Sequence, residues 1–174
     1  MGGIVVGVDD SAGAKKALAW AVSEAKLRGA VLRVVHVHKP EELAAPLFFP
    51  SQHALPTVPT GSVGEPSSAE LTSVLQAQEA LRDAARGRAE ELVDELIREV
   101  GVAGAEVETT IVEDRHPAEA LVELSSDADL LVVGTRGRGG FHHLVLGSVS
   151  HAVVLHATCP VVVVPSGTEP HRRP

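Results

Sequence analysis

Aromatic side chains are scarce in this chain. Its 174 residues include three Phe, one Trp and no Tyr, and the formal charge at pH 7 is −8. Proteins that bind single-stranded nucleic acid stack bases on aromatic side chains and neutralise phosphates with Lys and Arg. The composition supplies neither an aromatic platform nor an excess of basic residues, and it therefore argues against nucleic acid as a partner.

Cysteine and long apolar runs are also scarce. Cys159 is the single cysteine, so no disulfide can form within the chain, and its apolar neighbours favour a buried small side chain over a reactive thiol. No apolar run approaches the roughly 20 residues that a membrane-spanning helix needs. The sequence does not begin with a basic segment followed by a long apolar stretch, so we predict no signal peptide. These observations predict a cytoplasmic protein without a membrane partner.

The hydrophobic residues, 44% of the chain, alternate between β-branched runs and helical periodicity. Strands are predicted at residues 4–8, 31–37, 107–111, 130–133 and 161–164. The intervening helices begin or end at residues that favour helix ends, such as Ser11, Gly29 and Pro117. The order β-α-β-α-β-α-β-α-β predicts an α/β fold, an open and mostly parallel five-stranded sheet with helices on both faces.

The segment 40–66 interrupts this alternation. Several prolines stand there among Ser, Thr and Gly, a composition typical of loops rather than of packed elements. A lid over a ligand is one interpretation, but a surface connection without regular structure fits the composition better. We therefore predict a single domain over residues 1–166, with 40–66 as an insertion and 167–174 as a tail.

A glycine-rich loop, GTRGRGGFHHLVLGS, follows the fourth predicted strand. Gly134 can adopt the backbone angles that a sharp exit from the strand requires, and Gly137 lets main-chain N–H groups approach an anion without a Cβ in the way. Gly147 and Ser148 stand where a helix begins, and its unpaired N–H groups and dipole favour phosphate. The loop therefore predicts a phosphate site made of main-chain amides, to which the hydroxyls of Ser148 and Ser150 could add donors.

Two familiar phosphate motifs do not match this loop. The P-loop pattern needs Lys and then Ser or Thr after its second glycine, whereas Gly139 is followed by Gly140 and Phe141, and no Lys lies in the loop. The dinucleotide fingerprint G-x-G-x-x-G belongs after the first strand, where the chain has Gly7 and then Asp9. The predicted phosphate site is therefore of another kind.

Three stretches of the sequence resemble one known family. The spacing G-x2-G-x9-G-S after the fourth strand, the run CPVVVVP and the run GVDDS at the end of the first strand are similar to those of the ATP-binding branch of the universal stress proteins. The resemblance covers most of the chain and departs at residues 40–66 and after Pro165. It implies a Rossmann-like sheet in the strand order 3-2-1-4-5, an architecture related to that of the adenine nucleotide α-hydrolases.

The resemblance also implies the residues of an ATP site. It places Asp9 beside the ribose or the phosphates and the main chain at Val37 against the adenine. The residues around the triphosphate would be Gly134, Gly137, Gly147, Ser148, Val149 and Ser150. Asp9 is the candidate ligand for Mg²⁺ bound with ATP, because hard cations prefer carboxylate and phosphate oxygens, and its alternative role is a helix N-cap. Ser11 is a candidate for the nucleotide site and for the cap, and Arg136 could cover the phosphates or lie in solvent.

Two histidine pairs raise the question of a metal site. His36 and His38 share one face of the second strand, and His142 and His143 lie in the glycine-rich loop. Neither pair has a third ligand at a suitable spacing. We therefore expect surface or satisfied histidines rather than metal ligands.

The resemblance implies a homodimer in which residues 161–164 of two subunits pair antiparallel. The first functional hypothesis is an ATP-binding regulatory module of the stress response with at most slow hydrolysis, because no general base or P-loop lysine can be assigned. Two alternatives stay open. One is an adenine nucleotide α-hydrolase, although GVDDS matches its Ser-Gly-Gly-x-Asp-Ser loop poorly. The other is a stress protein that acts by protein contacts alone, against which the glycine spacing argues.

Overall fold

Five parallel strands form one sheet in the order β3-β2-β1-β4-β5. The structure is a computed structural model, and it describes residues 2–39, 68–114, 116–135 and 146–165. The elements are β1 (Ile4–Val8), α1 (Ala12–Arg28), β2 (Leu32–His38), α2 (Ser68–Val100), β3 (Val107–Glu113), α3 (Pro117–Leu124), β4 (Leu130–Gly134), α4 (Ser148–His156) and β5 (Val161–Val164). The predicted strand order and the alternation of strands and helices are confirmed.

The middle of the sheet is closed to solvent on both faces. β1 pairs with β2 and with β4, and Val6 lies between Val34 and Val132 in register. All three of these side chains are fully buried. Strands that are covered on both faces need continuous apolar sequences rather than alternating ones. This explains the uninterrupted apolar runs of β1 and β4.

Helices cover both faces of the sheet, as predicted. On one face, α1 and the second half of α2 pack against the strands through residues such as Leu18 and Val93. On the other face, α3 and α4 pack through Leu121 and Val153. Four of the buried residues of α1 are alanines, so this helix can lie close to the strands.

Local sequence signals define both ends of α1. The Ser11 hydroxyl accepts a hydrogen bond from the Ala14 N–H at 3.1 Å, which caps the amino end. Gly29 ends the helix at φ 61°, a left-handed conformation that glycine adopts without strain. Pro117 occupies the first turn of α3, where its missing N–H costs nothing. The predicted positions of these three residues are confirmed.

Contacts divide the chain into two units. One unit combines residues 1–39 and 86–174 and contains the whole sheet, and the other covers 40–85. Within the second unit, the structure describes residues 68–85, which form the first half of α2. The predicted insertion at 40–66 and the predicted tail at 167–174 lie outside the described residues, so the single-domain organisation stays a prediction. In the described part of the chain, no helix is both long enough and apolar enough to cross a bilayer.

Candidate functional site

The carboxyl end of the sheet brings two helix starts together. The chain leaves β1 through Asp9 and Asp10 and begins α1, while α4 begins at Ser148 after the loop that follows β4. In the sheet, β4 lies on one side of β1 and β2 lies on the other. The chain passes from β1 to β2 and β3 on one side, and then returns to β4 and β5 on the opposite side. Strand order therefore reverses at this point, and in open parallel sheets such a reversal opens a crevice in which ligands bind.

The turn between β1 and α1 is held by two side chains. One carboxylate oxygen of Asp9, Oδ1, accepts a hydrogen bond from the Ser11 N–H at 3.1 Å. Ser11 in turn caps the helix through Ala14. The N-cap is therefore Ser11, and the alternative assignment of the cap to Asp9 is wrong. The half-buried Asp9 carboxylate is fixed within the turn, beside the amino end of α1.

Gly134 is required at the end of β4 for a reason that the sequence did not indicate. Positive φ values occur among the described residues at Gly29, Gly101 and Gly104, and Gly134 does not have one. The predicted role of Gly134 in a sharp exit from the strand is therefore wrong. A Cβ at this position would lie 2.9 Å from the carbonyl carbon and oxygen of Gly13. Gly134 instead lets β4 approach the first turn of α1.

The two ends of the glycine-rich loop are joined by hydrogen bonds. The Thr135 carbonyl accepts from the Gly147 N–H at 2.7 Å, and the Thr135 N–H donates to the Val164 carbonyl at 3.0 Å. The Ser150 hydroxyl lies 3.1 Å from the Thr135 carbonyl oxygen and 3.0 Å from that of Gly147. The base of the loop is therefore closed. The phosphate role predicted for Ser150 depends on its main-chain N–H, because the structure places its buried hydroxyl against these carbonyls.

The amino end of α4 differs from that of α1 in its cap. Gly147 is the N-cap residue, and in the described part of the chain no side chain caps the helix and no acidic residue lies in its first turn. Ser148 is exposed and Val149 is half-buried there. The first N–H groups of a helix have no partner within it, and the helix dipole adds positive potential. This helix start therefore suits an anion.

The end of β2 contributes the remaining predicted residues. Val37 pairs with Val112 of β3, and its side chain packs on the face that α3 and α4 cover. The rings of His36 and His38 stack on the opposite face, with centroids 6.4 Å apart, as expected for alternate residues of one strand. No group of three His, Cys, Asp or Glu side chains among the described residues could hold a metal ion.

The predicted site residues are thus brought together at the carboxyl end of the sheet as far as the structure describes them. Asp9, Ser11 and Val37 follow or end β1 and β2, and Gly134 ends β4. Gly147, Ser148, Val149 and Ser150 form the start of α4. Arg136 and Gly137, like the pair His142 and His143, lie outside the described residues.

Three contacts of this region escaped the sequence analysis. Gly13 contacts the end of β4, the Thr135 carbonyl joins the loop ends, and the His36 ring contacts the Val8 carbonyl. The atoms of Gly13 that lie near the end of β4 are its main-chain carbonyl carbon and oxygen, which every residue type has, so the sequence carries no signal for this contact. The other two contacts join residues that no local pattern connects.

Comparisons with known proteins agree with this architecture. The model of the universal stress protein family matches residues 1–56 and 51–165. A universal stress protein of Mycobacterium tuberculosis is 36% identical over 93% of this chain and 47% of its own length. One from Thermus aquaticus is 34% identical over 92% of this chain and 96% of its own. The chain thus spans about half the length of several relatives, including the mycobacterial one.

Solved structures of low sequence identity share the fold. The universal stress protein from Archaeoglobus fulgidus, described in complex with dAMP, has a TM-score of 0.54 at 24% identity and covers 94% of this chain and 98% of its own. A universal stress protein described in complex with cAMP has a TM-score of 0.52 at 22% identity, with 95% and 98% covered. From the family model and the relatives above 30% identity, we conclude that this chain belongs to the universal stress protein family.

Proposed function

We propose that this chain binds ATP at the carboxyl end of its sheet and acts as a nucleotide-dependent regulatory module. The observation that carries the proposal is the start of α4, which no side chain of the described residues caps and whose first turn holds no acidic residue. A triphosphate would supply the missing hydrogen-bond acceptors, and it would lie at the positive end of the helix dipole.

The surroundings of this helix start fit a nucleotide. α4 follows the glycine-rich loop, whose closed base at Thr135 holds Gly147 and the first turn in place. Two members of the family with the same fold are described in complex with dAMP and cAMP, both of which are adenine nucleotides. We extend this ligand class to the present chain, and we propose ATP because the G-x2-G-x9-G-S spacing resembles that of the ATP-binding branch.

Each part of the nucleotide has candidate contacts. Main-chain amides from Gly147 to Ser150, with those of the loop, would hold the phosphates. Asp9 would lie by the ribose or the phosphates, and the main chain at Val37 would meet the adenine. The hydrogen bond from the Ser11 N–H fixes the Asp9 carboxylate, and a fixed carboxylate beside phosphates fits Mg²⁺, which prefers oxygen ligands. Bound Mg²⁺ would neutralise part of the phosphate charge.

We propose that two copies of the chain pair through β5. This strand is the last in the sheet order, and its four residues are all valine. Its outer side has no partner strand within the described sheet, and such an edge pairs readily with a second strand. Nucleotide occupancy would then change the shape or the partners of a cytoplasmic homodimer.

Mass spectrometry of the gently purified protein tests the assignment. Co-purified ATP, or ATP binding measured by calorimetry, would support the regulatory module. Release of AMP and pyrophosphate on incubation would support an α-hydrolase instead. A chain that neither retains nor binds an adenine nucleotide would contradict the proposal and support a protein that acts by contacts alone.

A further inference from the structure

His36 is a buried histidine for which the proposed ATP site has no role. It lies near the carboxyl end of β2 and is 9% exposed. Its ring nitrogen Nδ1 lies 2.8 Å from the carbonyl oxygen of Val8, the last residue of β1 and its register partner in the sheet. A side chain thus ties β2 to the end of β1, one residue before Asp9.

This contact fixes the tautomer of the ring. A carbonyl oxygen can only accept a hydrogen bond, so the proton of the neutral imidazole must be on Nδ1. The hydrogen bond therefore runs from His36 to Val8, and in the neutral ring Nε2 carries no proton. Because the ring is buried, loss of this bond would leave the Nδ1–H group of His36 without this acceptor.

We propose that His36 is a positioning residue of the nucleotide site and acts on Asp9 through the Val8 carbonyl. The Val8 peptide group sets the direction in which the chain leaves β1. That direction places the Asp9 carboxylate, which in turn receives the Ser11 N–H at 3.1 Å. The chain of contacts runs from His36 through Val8 and Asp9 to the start of α1, and it extends the proposed function because Asp9 is a proposed nucleotide contact.

Two substitutions separate the Nδ1 role from a direct contact through Nε2. The side-chain nitrogen of Asn is the same number of bonds from Cα as Nδ1, and that of Gln is the same number as Nε2. His36→Asn keeps a donor for Val8, whereas His36→Gln and His36→Ala do not. His38→Ala is the matched control, since His38 lies on the same face of β2 and its Nδ1 lies near the Lys39 carbonyl oxygen instead.

The first measurements use the protein without nucleotide. Nitrogen NMR of the wild-type protein should show the neutral His36 ring protonated at Nδ1. The amide resonance of Ser11, which reports its bond to Asp9, should move in His36→Ala and remain near its wild-type position in His36→Asn and His38→Ala. A ring protonated at Nε2 would overturn the inference, and so would a Ser11 amide resonance that does not move in His36→Ala. The tautomer is measured in the wild-type protein, so this result does not depend on whether a variant folds.

Calorimetry with ATP completes the test. Loss of one hydrogen bond should weaken ATP binding about fivefold in His36→Ala and in His36→Gln, with His36→Asn within about twofold of the wild type. Full affinity in His36→Gln together with loss in His36→Asn would indicate a ligand contact through Nε2 and contradict positioning. A wild-type protein that does not bind ATP would refute the proposed function alone, since the tautomer and the Ser11 resonance would still decide the role of His36.

Discussion

Gly134 at the end of β4 lies so close to Gly13 in the first turn of α1 that a Cβ on Gly134 would meet the Gly13 carbonyl group at 2.9 Å. Both atoms that it would meet belong to the main chain, which cannot rotate away as a side chain can. Gly134→Ala should therefore displace α1 from β4. We expect a loss of about 1–3 kcal/mol, the usual cost of overpacking, measured by urea unfolding.

Gly87 offers the matched control for this substitution. It lies inside α2, and a Cβ there would meet nothing within 4 Å. Because alanine is more favourable than glycine in a helix interior by up to about 1 kcal/mol, Gly87→Ala should leave the stability of the fold unchanged or raise it. Equal losses in Gly134→Ala and Gly87→Ala would contradict the close-contact explanation.

The start of α4 allows the proposed amide contacts to be tested without disrupting the helix. Ser148 is the first residue of α4, and Gly147 before it has φ −77° and ψ 169°, an extended conformation compatible with a following proline. Proline is well tolerated at this helix position. Ser148→Pro removes both the hydroxyl and the main-chain N–H, whereas Ser148→Ala removes the hydroxyl alone.

We expect Ser148→Pro to bind ATP about tenfold more weakly than Ser148→Ala, because a hydrogen bond to a charged phosphate contributes about 1.5–3 kcal/mol. Calorimetry with ATP measures the difference, and circular dichroism melts check that both variants are folded. Equal affinities in the two variants would show that the N–H of residue 148 does not hold a phosphate.

Local signals made the strands and the helix ends predictable. Ser11 and Gly29 cap α1 because a hydroxyl and a left-handed glycine act on main-chain groups a few residues away. The carboxyl ends of two strands were less predictable. β2 continues to His38 and β3 to Glu113, where these two residues pair, although the sequence ended both strands earlier. Pairing partners distant in sequence extend a strand beyond its own pattern.

The side-chain hydrogen bonds within the site could not be predicted from local sequence patterns for the same reason. The Ser150 hydroxyl reaches a carbonyl 15 residues earlier, and His36 reaches one 28 residues earlier. Neither residue type indicates which partner it binds, since Ser and His side chains form hydrogen bonds in many settings. The glycine-rich loop and the start of α4 were predicted from glycine spacing and helix-start signals, whereas the roles of Asp9, Val37 and Val149 came from the family resemblance. What each side chain contacts there became visible in the fold.

An ion pair between α1 and α2 predicts a loss of stability in alkali. Lys15 Nζ lies 2.6 Å from Glu99 Oε2, and this hydrogen bond raises the pKa of Lys15 above its ordinary value of 10.5. A raised pKa in the folded state stabilises the fold fully below the unfolded pKa, and this contribution disappears as the pH rises through the folded value. Stability should therefore fall above about pH 10.5 as Lys15 loses its proton.

Lys15→Met isolates this contribution. Urea unfolding between about pH 9 and about pH 12 should show a smaller alkaline loss in the variant than in the wild type. Both side chains of the pair are exposed, at 40% and 53%, so the difference should be modest and should shrink in 1 M salt, where screening acts within about 3 Å. Identical pH profiles of the two proteins would contradict the role of the pair.

The hydrogen bonds of β5 indicate how to disrupt the proposed dimer. The carbonyls of Pro160 and Val164 accept from Leu131 and Thr135, so they point toward β4. Main-chain groups of a strand alternate between its two sides. The N–H of Val162 therefore points toward β4 as well, whereas the N–H of Val163 points to the open side of the sheet.

Val163→Pro removes a donor from the open side and leaves the ladder with β4 intact, since proline is tolerated where its missing N–H would face outward. We expect this variant to sediment as a monomer while retaining the circular dichroism of the wild type. Val162→Pro is the matched control, because it removes a bond to β4 and should lower the stability of the fold. If the wild type is already a monomer, or if Val163→Pro remains a dimer, the pairing of two subunits through β5 is wrong.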